Sequence, residues 1–156
     1  MKKIGIITII CILIDIITKI IITNTLNLYE SIEIINNFFS ITYVRNYGAA
    51  WNILSGSRFL LIFIGIVALI LIYKYFIKDE RISKLETLTY GLLLGGIIGN
   101  LIDRIVFGYV IDFLDFLIFN YNFPVFNMAD TFIVISVFLI LIDTFRGEKN
   151  ENNCRN

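Results

Sequence analysis

Four stretches of this sequence are apolar enough and long enough to cross a membrane. They run from about Ile4 to Ile22, from Phe59 to Ile77, from Thr87 through Ile102 to about Arg104, and from Pro124 to Ile142. A bilayer core about 30 Å thick takes about 20 residues of helix, so four such spans use about half of the chain. The remainder of the 156 residues has room for short loops and one small extramembrane subdomain, but not for a second large soluble domain. Composition agrees. The chain is 58% hydrophobic and 17% charged, where a soluble domain has about 45–50% and about 25%.

Charge placement orients the spans. With a cytoplasmic N-terminus, that side holds Lys2, Lys3, Lys74, Lys78, Arg81, Lys84, Arg146, Lys149 and Arg155, nine of the 13 basic residues. Lys19, Arg45, Arg58 and Arg104 fall in the spans or on the other face, so both termini are expected inside. The first span is expected to stay as a helix. Asp15 and Lys19 interrupt it and no small-residue cleavage site follows. Segments 23–57 and 105–123 then lie outside, and Ser40–Val44 alternates polar and β-branched residues as a short strand does.

Formal net charge is zero, which offers nothing to a nucleic acid. Two dispersed cysteines, Cys11 and Cys154, make neither a metal site nor a disulfide framework. The sequence contains no histidine. Ser-His-Asp and Cys-His hydrolases and the His-Glu-x-x-His zinc proteases are thereby excluded. Acid–base chemistry would fall to Asp, Glu, Lys or Tyr.

Charges within spans are costly and mark sites that have a use. Asp15 and Lys19, four residues apart on one helical face, read as an ion pair that fixes helix packing. Gly91, Gly95 and Gly99, with Gly96 beside them, read as a close helix–helix contact. Asp130 is the most informative. The 12 uncharged residues from Thr131 to Ile142 span about 18 Å of helix, which sets Asp130 inside the membrane below the outer face. An ion pair with Arg104 is one explanation for it. A second carboxyl group sharing a proton is the other, because two close carboxylates resist joint ionisation and can activate water. Asp103, Asp112 and Asp115 all lie near enough in the chain to supply that group, and spacing alone does not choose among them. Asp103 and Arg104, being adjacent, point apart.

Four blocks carry a resemblance: Asp15-Ile-Ile-Thr-Lys19, Asn46-Tyr-Gly-Ala-Ala-Trp51, Gly95 through Phe113, and Phe123-Pro-Val-Phe-Asn127-Met-Ala-Asp130. Together the sequence resembles signal peptidase II, the bacterial lipoprotein signal peptidases, along nearly its whole length. The resemblance implies a mainly α membrane protein, one membrane domain of four transmembrane helices with a small extracytoplasmic β-sheet cradle. It implies an aspartic endopeptidase with Asp112 and Asp130 as the catalytic pair. Asn46, Asn100, Arg104, Asn127 and Ala129 would bind substrate, and Asp15, Lys19 and Asp103 would support the site. No metal or other cofactor is implied. The implied partners are diacylglyceryl-modified prolipoproteins and membrane lipid, cleaved before the lipidated cysteine by a monomer in the bacterial cytoplasmic membrane. Ile16 and Trp51 depart from the family's common glutamine and phenylalanine. The rival reading, a small proton-coupled four-helix transporter, predicts inverted repeats, and the sequence carries none.

Overall fold

The computed structural model describes residues 2–49, 53–78 and 82–154, with backbone alone from 146 onward. Trp51 lies outside the described residues. Among the described residues, four helices are long and apolar enough to cross a membrane. Helix α1 (Lys2–Thr25) is followed by strands β1 (Ser31–Ile35) and β2 (Phe39–Asn46). Helix α2 (Arg58–Ile72) ends in a π-helical turn, Tyr73–Ile77, and α3 spans Lys84–Val106. Strands β3 (Val110–Ile118) and β4 (Tyr121–Asn122) precede α4 (Met128–Cys154). The four strands form one antiparallel sheet in the order β1-β2-β3-β4.

In α1 the buried residues are Ile4, Thr8, Cys11, Asp15, Lys19 and Ile22. Their three- and four-residue spacing makes a single stripe, and the expected ion pair lies on it. The other faces of α1 carry exposed isoleucines and leucines suited to lipid. The stripe meets the glycines of α3. A Cβ on Gly91 would come within 2.6 Å of Ile7, and one on Gly95 within 2.5 Å of Cys11. Gly96 faces the Ala129 carbonyl of α4. The small residues thus bring α1 and α4 against two sides of α3. Helix α2 packs mainly on the flank of α3, has no buried residue between Arg58 and Ile72, and presents many of its apolar side chains outward.

Two helix boundaries differ from the sequence reading for identifiable reasons. Helix α3 begins at Lys84 because Ser83 and Glu86 form a reciprocal capping box. Helix α4 begins at Met128 rather than Pro124, because Phe126 bridges Leu114 and the chain is still extended there. At the other end of α3, Gly108 (φ +86°) turns the chain out of the helix and its N–H bonds the Asp103 carbonyl. Arg58 reinforces this end by donating to the carbonyls of Arg104 and Ile105.

Strand β2 contains the expected strand at Ser40–Val44. Strand β3 was not anticipated, although Val110-Ile-Asp-Phe-Leu-Asp-Phe has the β-branched and aromatic content of one. Its Ile111 and Phe113 pack with Ile22, Leu26 and Tyr43, which fastens the sheet to the C-terminal end of α1.

Candidate active site

The first turn of α4 is built around its N-cap. Asn127 Oδ1 accepts from the Asp130 N–H at 2.9 Å, and the Asn127 N–H donates to Asp130 Oδ2 at 3.3 Å. This reciprocal pair is a capping box with an amide and a carboxylate in its two positions. It holds the Asp130 side chain at the mouth of the helix. The same Asn127 reaches β3, its Nδ2 donating to Asp112 Oδ1 at 2.7 Å. One buried side chain therefore ties a backbone amide of the Asp130 turn to the Asp112 carboxylate. Nδ2 also lies 3.1 Å from Asn100 Oδ1 and 3.3 Å from the Ile111 carbonyl.

The remaining oxygens of the two acids are also occupied. Asn46 Nδ2 donates to Asp112 Oδ2 at 3.0 Å, and Asn100 Nδ2 to Asp130 Oδ1 at 2.7 Å. Three asparagines from β2, α3 and the α4 cap thus orient two carboxyl groups. Asp112 is 2% exposed, whereas Asp130 is partly open. Burial pushes the Asp112 carboxyl up to about 7, and the neighbouring Asp130 charge adds to the rise. Hydrogen bonds from Asn46 and Asn127, and the Lys19 ammonium, oppose it.

The three acids left open by spacing have separate fates. Asp115 lies an odd number of residues from Asp112 on β3, so it points to the opposite face. There it accepts from the Thr42 hydroxyl at 2.7 Å, away from Asp130. Asp103 is engaged by Lys19 at 2.9 Å and accepts from the Ile111 N–H at 3.1 Å. Only Asp112 joins Asp130 in the Asn127 network. Arg104 is not an ion-pair partner of Asp130. Among the described residues the ion pairs are Lys19–Asp15 and Lys19–Asp103. Its guanidinium instead donates to the Gly48 carbonyl at 2.9 Å and the Asn100 carbonyl at 3.3 Å.

The other implied site residues converge on the same region. Asp15 pairs with Lys19 at 2.7 Å and accepts from the Ala129 N–H at 3.0 Å. Lys19 also reaches Asn100 Oδ1 at 3.4 Å. Ala129 has no exposed surface and packs against Gly99, where an added Cβ would approach both the Ala129 methyl and Asp15. Asn127 is likewise wholly buried. Among the described residues, no buried side-chain nitrogen or oxygen lacks a hydrogen-bond partner. Two participants were missed from the sequence. The Gly48 carbonyl receives Arg104, and its N–H donates to Asn46 Oδ1 at 2.9 Å. Neither backbone group has a sequence signal. The Asn127-x-x-Asp130 capping pattern did have one.

Comparison with known proteins decides the family. The signal peptidase II model matches residues 7–146. The chain belongs to the signal peptidase II family. It is 42% identical over 139 residues to a lipoprotein signal peptidase of Staphylococcus aureus, covering 89% of this chain and 85% of that one. The lipoprotein signal peptidase of S. aureus strain JH9 is 43% identical over 137 residues, covering 88% and 84%. A bacterial membrane enzyme solved by the in meso method at 2.3 Å superposes with a TM-score of 0.86 at 41% identity, over 93% of this chain and 88% of that one. A second, solved at 1.9 Å, gives 0.80 at 42% identity over 89% and 90%. A signal peptidase II is a protease, and its four apolar helices make this one a multi-pass membrane protein.

Proposed function

We propose that this signal peptidase II removes signal peptides from lipid-modified prolipoproteins, cutting before the diacylglyceryl cysteine with Asp112 and Asp130 as a water-activating pair. The observation that carries the reading is the Asn127 bridge, which holds the Asp112 carboxylate and the Asp130 helix turn on one side chain. Around it stand four acids, Asp15, Asp103, Asp112 and Asp130, against two cations, Lys19 and Arg104. Such an excess favours a retained proton. Asp112, the more buried of the pair and titrating near 7, carries it.

Partly open Asp130 acts as the base. It takes a proton from water as the water oxygen bonds to the scissile carbonyl carbon. Asp112 gives its proton to the carbonyl oxygen. Collapse of the tetrahedral intermediate breaks the C–N bond: Asp130 passes its newly gained proton to the departing amine, and one hydroxyl of the intermediate returns a proton to Asp112 as the carbonyl re-forms. Asn46 and Arg104 are partly exposed and are disposed to hydrogen-bond substrate beside the pair. Asn100, Asn127 and Ala129 act from behind, through the hydrogen bonds and packing that hold the two acids. No step calls for a metal or cofactor.

The single membrane domain works as a monomer in a bacterial cytoplasmic membrane, with both termini on the cytoplasmic side and the sheet outside. A diacylglyceryl group would keep the scissile bond near the outer interface, close to the expected depth of Asp130. Family membership leaves the transporter reading without support. The test uses purified protein, a lipidated and an unlipidated precursor peptide, and product masses. Cleavage of the lipidated peptide alone is expected, with loss of turnover by at least about a thousandfold in Asp112→Asn and Asp130→Asn. Near-normal cleavage by either variant refutes the pair, and equal cleavage of both peptides refutes the lipid requirement.

A further inference from the structure

Two buried carboxylates outside the proposed pair make parallel contacts. Asp15 on α1 accepts from the N–H of Ala129, the residue immediately before Asp130. Asp103 on α3 accepts from the N–H of Ile111, the residue immediately before Asp112. Both carboxylates are joined to one ammonium, Lys19 Nζ, at 2.7 Å and 2.9 Å. All three side chains are at most 5% exposed.

We propose that Lys19 is a positioning residue for the aspartate pair, a strut that sets the separation of the two backbone amides preceding Asp112 and Asp130. The chain of contacts runs Ala129 N–H, Asp15, Lys19, Asp103, Ile111 N–H, and it joins α4 to β3 through α1 and α3. Its geometry needs a donor able to face two carboxylates at once, and an ammonium with three protons supplies one. Gly99 keeps the route open, since an added Cβ there would lie 2.7 Å from Asp15 Oδ2. The bridge through Asn127 and the strut through Lys19 are two ties between the same two segments, and they also meet at Asn100 Oδ1. Together they restrain the pair from two sides, as reaction at a fixed distance requires.

Lys19 also acts on the pair through space. Around Asp112 stand Lys19 from α1 with its partner Asp15, Asp103 and Arg104 from α3, Asp130 and the neutral Asn127 from the start of α4, and the neutral Asn46 from β2. Lys19 opposes the upward displacement of Asp112. Its removal therefore leaves the shared proton more tightly held, and the alkaline limb of the activity profile moves to higher pH.

This inference rests on the Asp112–Asp130 reading, and its test separates the two. The variant is Lys19→Met, assayed on the lipidated precursor peptide for kcat, KM and pH profile. Expected are a fall in kcat of about tenfold or more at nearly unchanged KM and an alkaline limb displaced upward by about one pH unit. Breaking a buried ion pair can unfold a protein. The neutral triple variant Asp15→Asn, Lys19→Met, Asp103→Asn therefore runs in parallel. It keeps both carbonyl acceptors for the two amides, leaves no unpaired charge, and still lacks the strut. The same kcat loss is expected of it, but because two negative charges leave with the one positive charge, its alkaline limb does not move upward. A folded Lys19→Met with wild-type kcat and pH profile, or a folded triple variant with wild-type kcat, overturns the strut while leaving the pair intact. Failure of both variants to fold also overturns it, since Lys19 would then be a requirement for folding and not a positioning residue. Activity in Asp112→Asn or Asp130→Asn instead sinks the underlying reading.

Discussion

Asp112→Asn should make this protein more stable above neutral pH while abolishing its proposed chemistry. The folded state holds the Asp112 proton up to about pH 7, whereas a carboxyl group at its ordinary value releases it near 3.8. Between those values the folded state binds the extra proton, so stability falls as pH rises. The full displacement of about three units corresponds to a loss of about 4 kcal/mol by pH 8. No screening discount applies to a side chain 2% exposed. Asparagine removes this loss but offers one acceptor to the two donors, Asn46 Nδ2 and Asn127 Nδ2, that meet Asp112. The lost hydrogen bond costs about 1–2 kcal/mol at every pH. Wild type should therefore lead below about pH 5, with the variant ahead by about 2–3 kcal/mol at pH 8. Thermal unfolding in detergent at pH 4, 6 and 8 measures this, and the pH 8 advantage should be roughly 5–10 °C. A difference between the two proteins that stays constant across this pH range would refute a buried proton at Asp112.

Peptidase activity should decline above about pH 7, approaching a tenfold loss per unit as the shared proton is removed, and kcat against pH will report the pair and not either residue. A flat profile from pH 6 to 9 would contradict it. Gly96→Ala puts a methyl into the Ala129 carbonyl and Ile133 of α4, where backbone has to move, so the unfolding midpoint should drop in step with a cost of about 1–3 kcal/mol. Phe119 sits at the β3–β4 hairpin tip with φ +49°, beside Asn120 at +63°. Asparagine tolerates that conformation better than a bulky aromatic, so Phe119→Asn should raise the midpoint by a degree or two, equivalent to roughly 0.5–1 kcal/mol.

The spans, the β2 strand, the Asp15–Lys19 pair and the glycine contact face of α3 were all legible without coordinates. Each depends on local periodicity or on the plain cost of placing charge in hydrocarbon. Strand β3 and the late start of α4 were not. Extended backbone at Phe126 is stabilised by Leu114 across the sheet, a partner twelve residues away, and Pro124 at an apparent helix start is a misleading local signal. The Asn127-x-x-Asp130 capping pattern was available and would have corrected the boundary.

At the site, the absence of histidine left acid–base chemistry to Asp, Glu, Lys or Tyr, and the depth expected of Asp130 made it the leading candidate. Which acid met it was undetermined by local spacing, and family resemblance supplied an expectation in place of a derivation. Tertiary structure separated the three candidates: strand alternation sent Asp115 to the far face, Lys19 engaged Asp103, and Asn127 drew Asp112 to the α4 cap. Those outcomes depend on contacts between residues far apart in the chain. Periodicity reports which way a side chain points on its own element, but the partner it meets is decided by how elements pack.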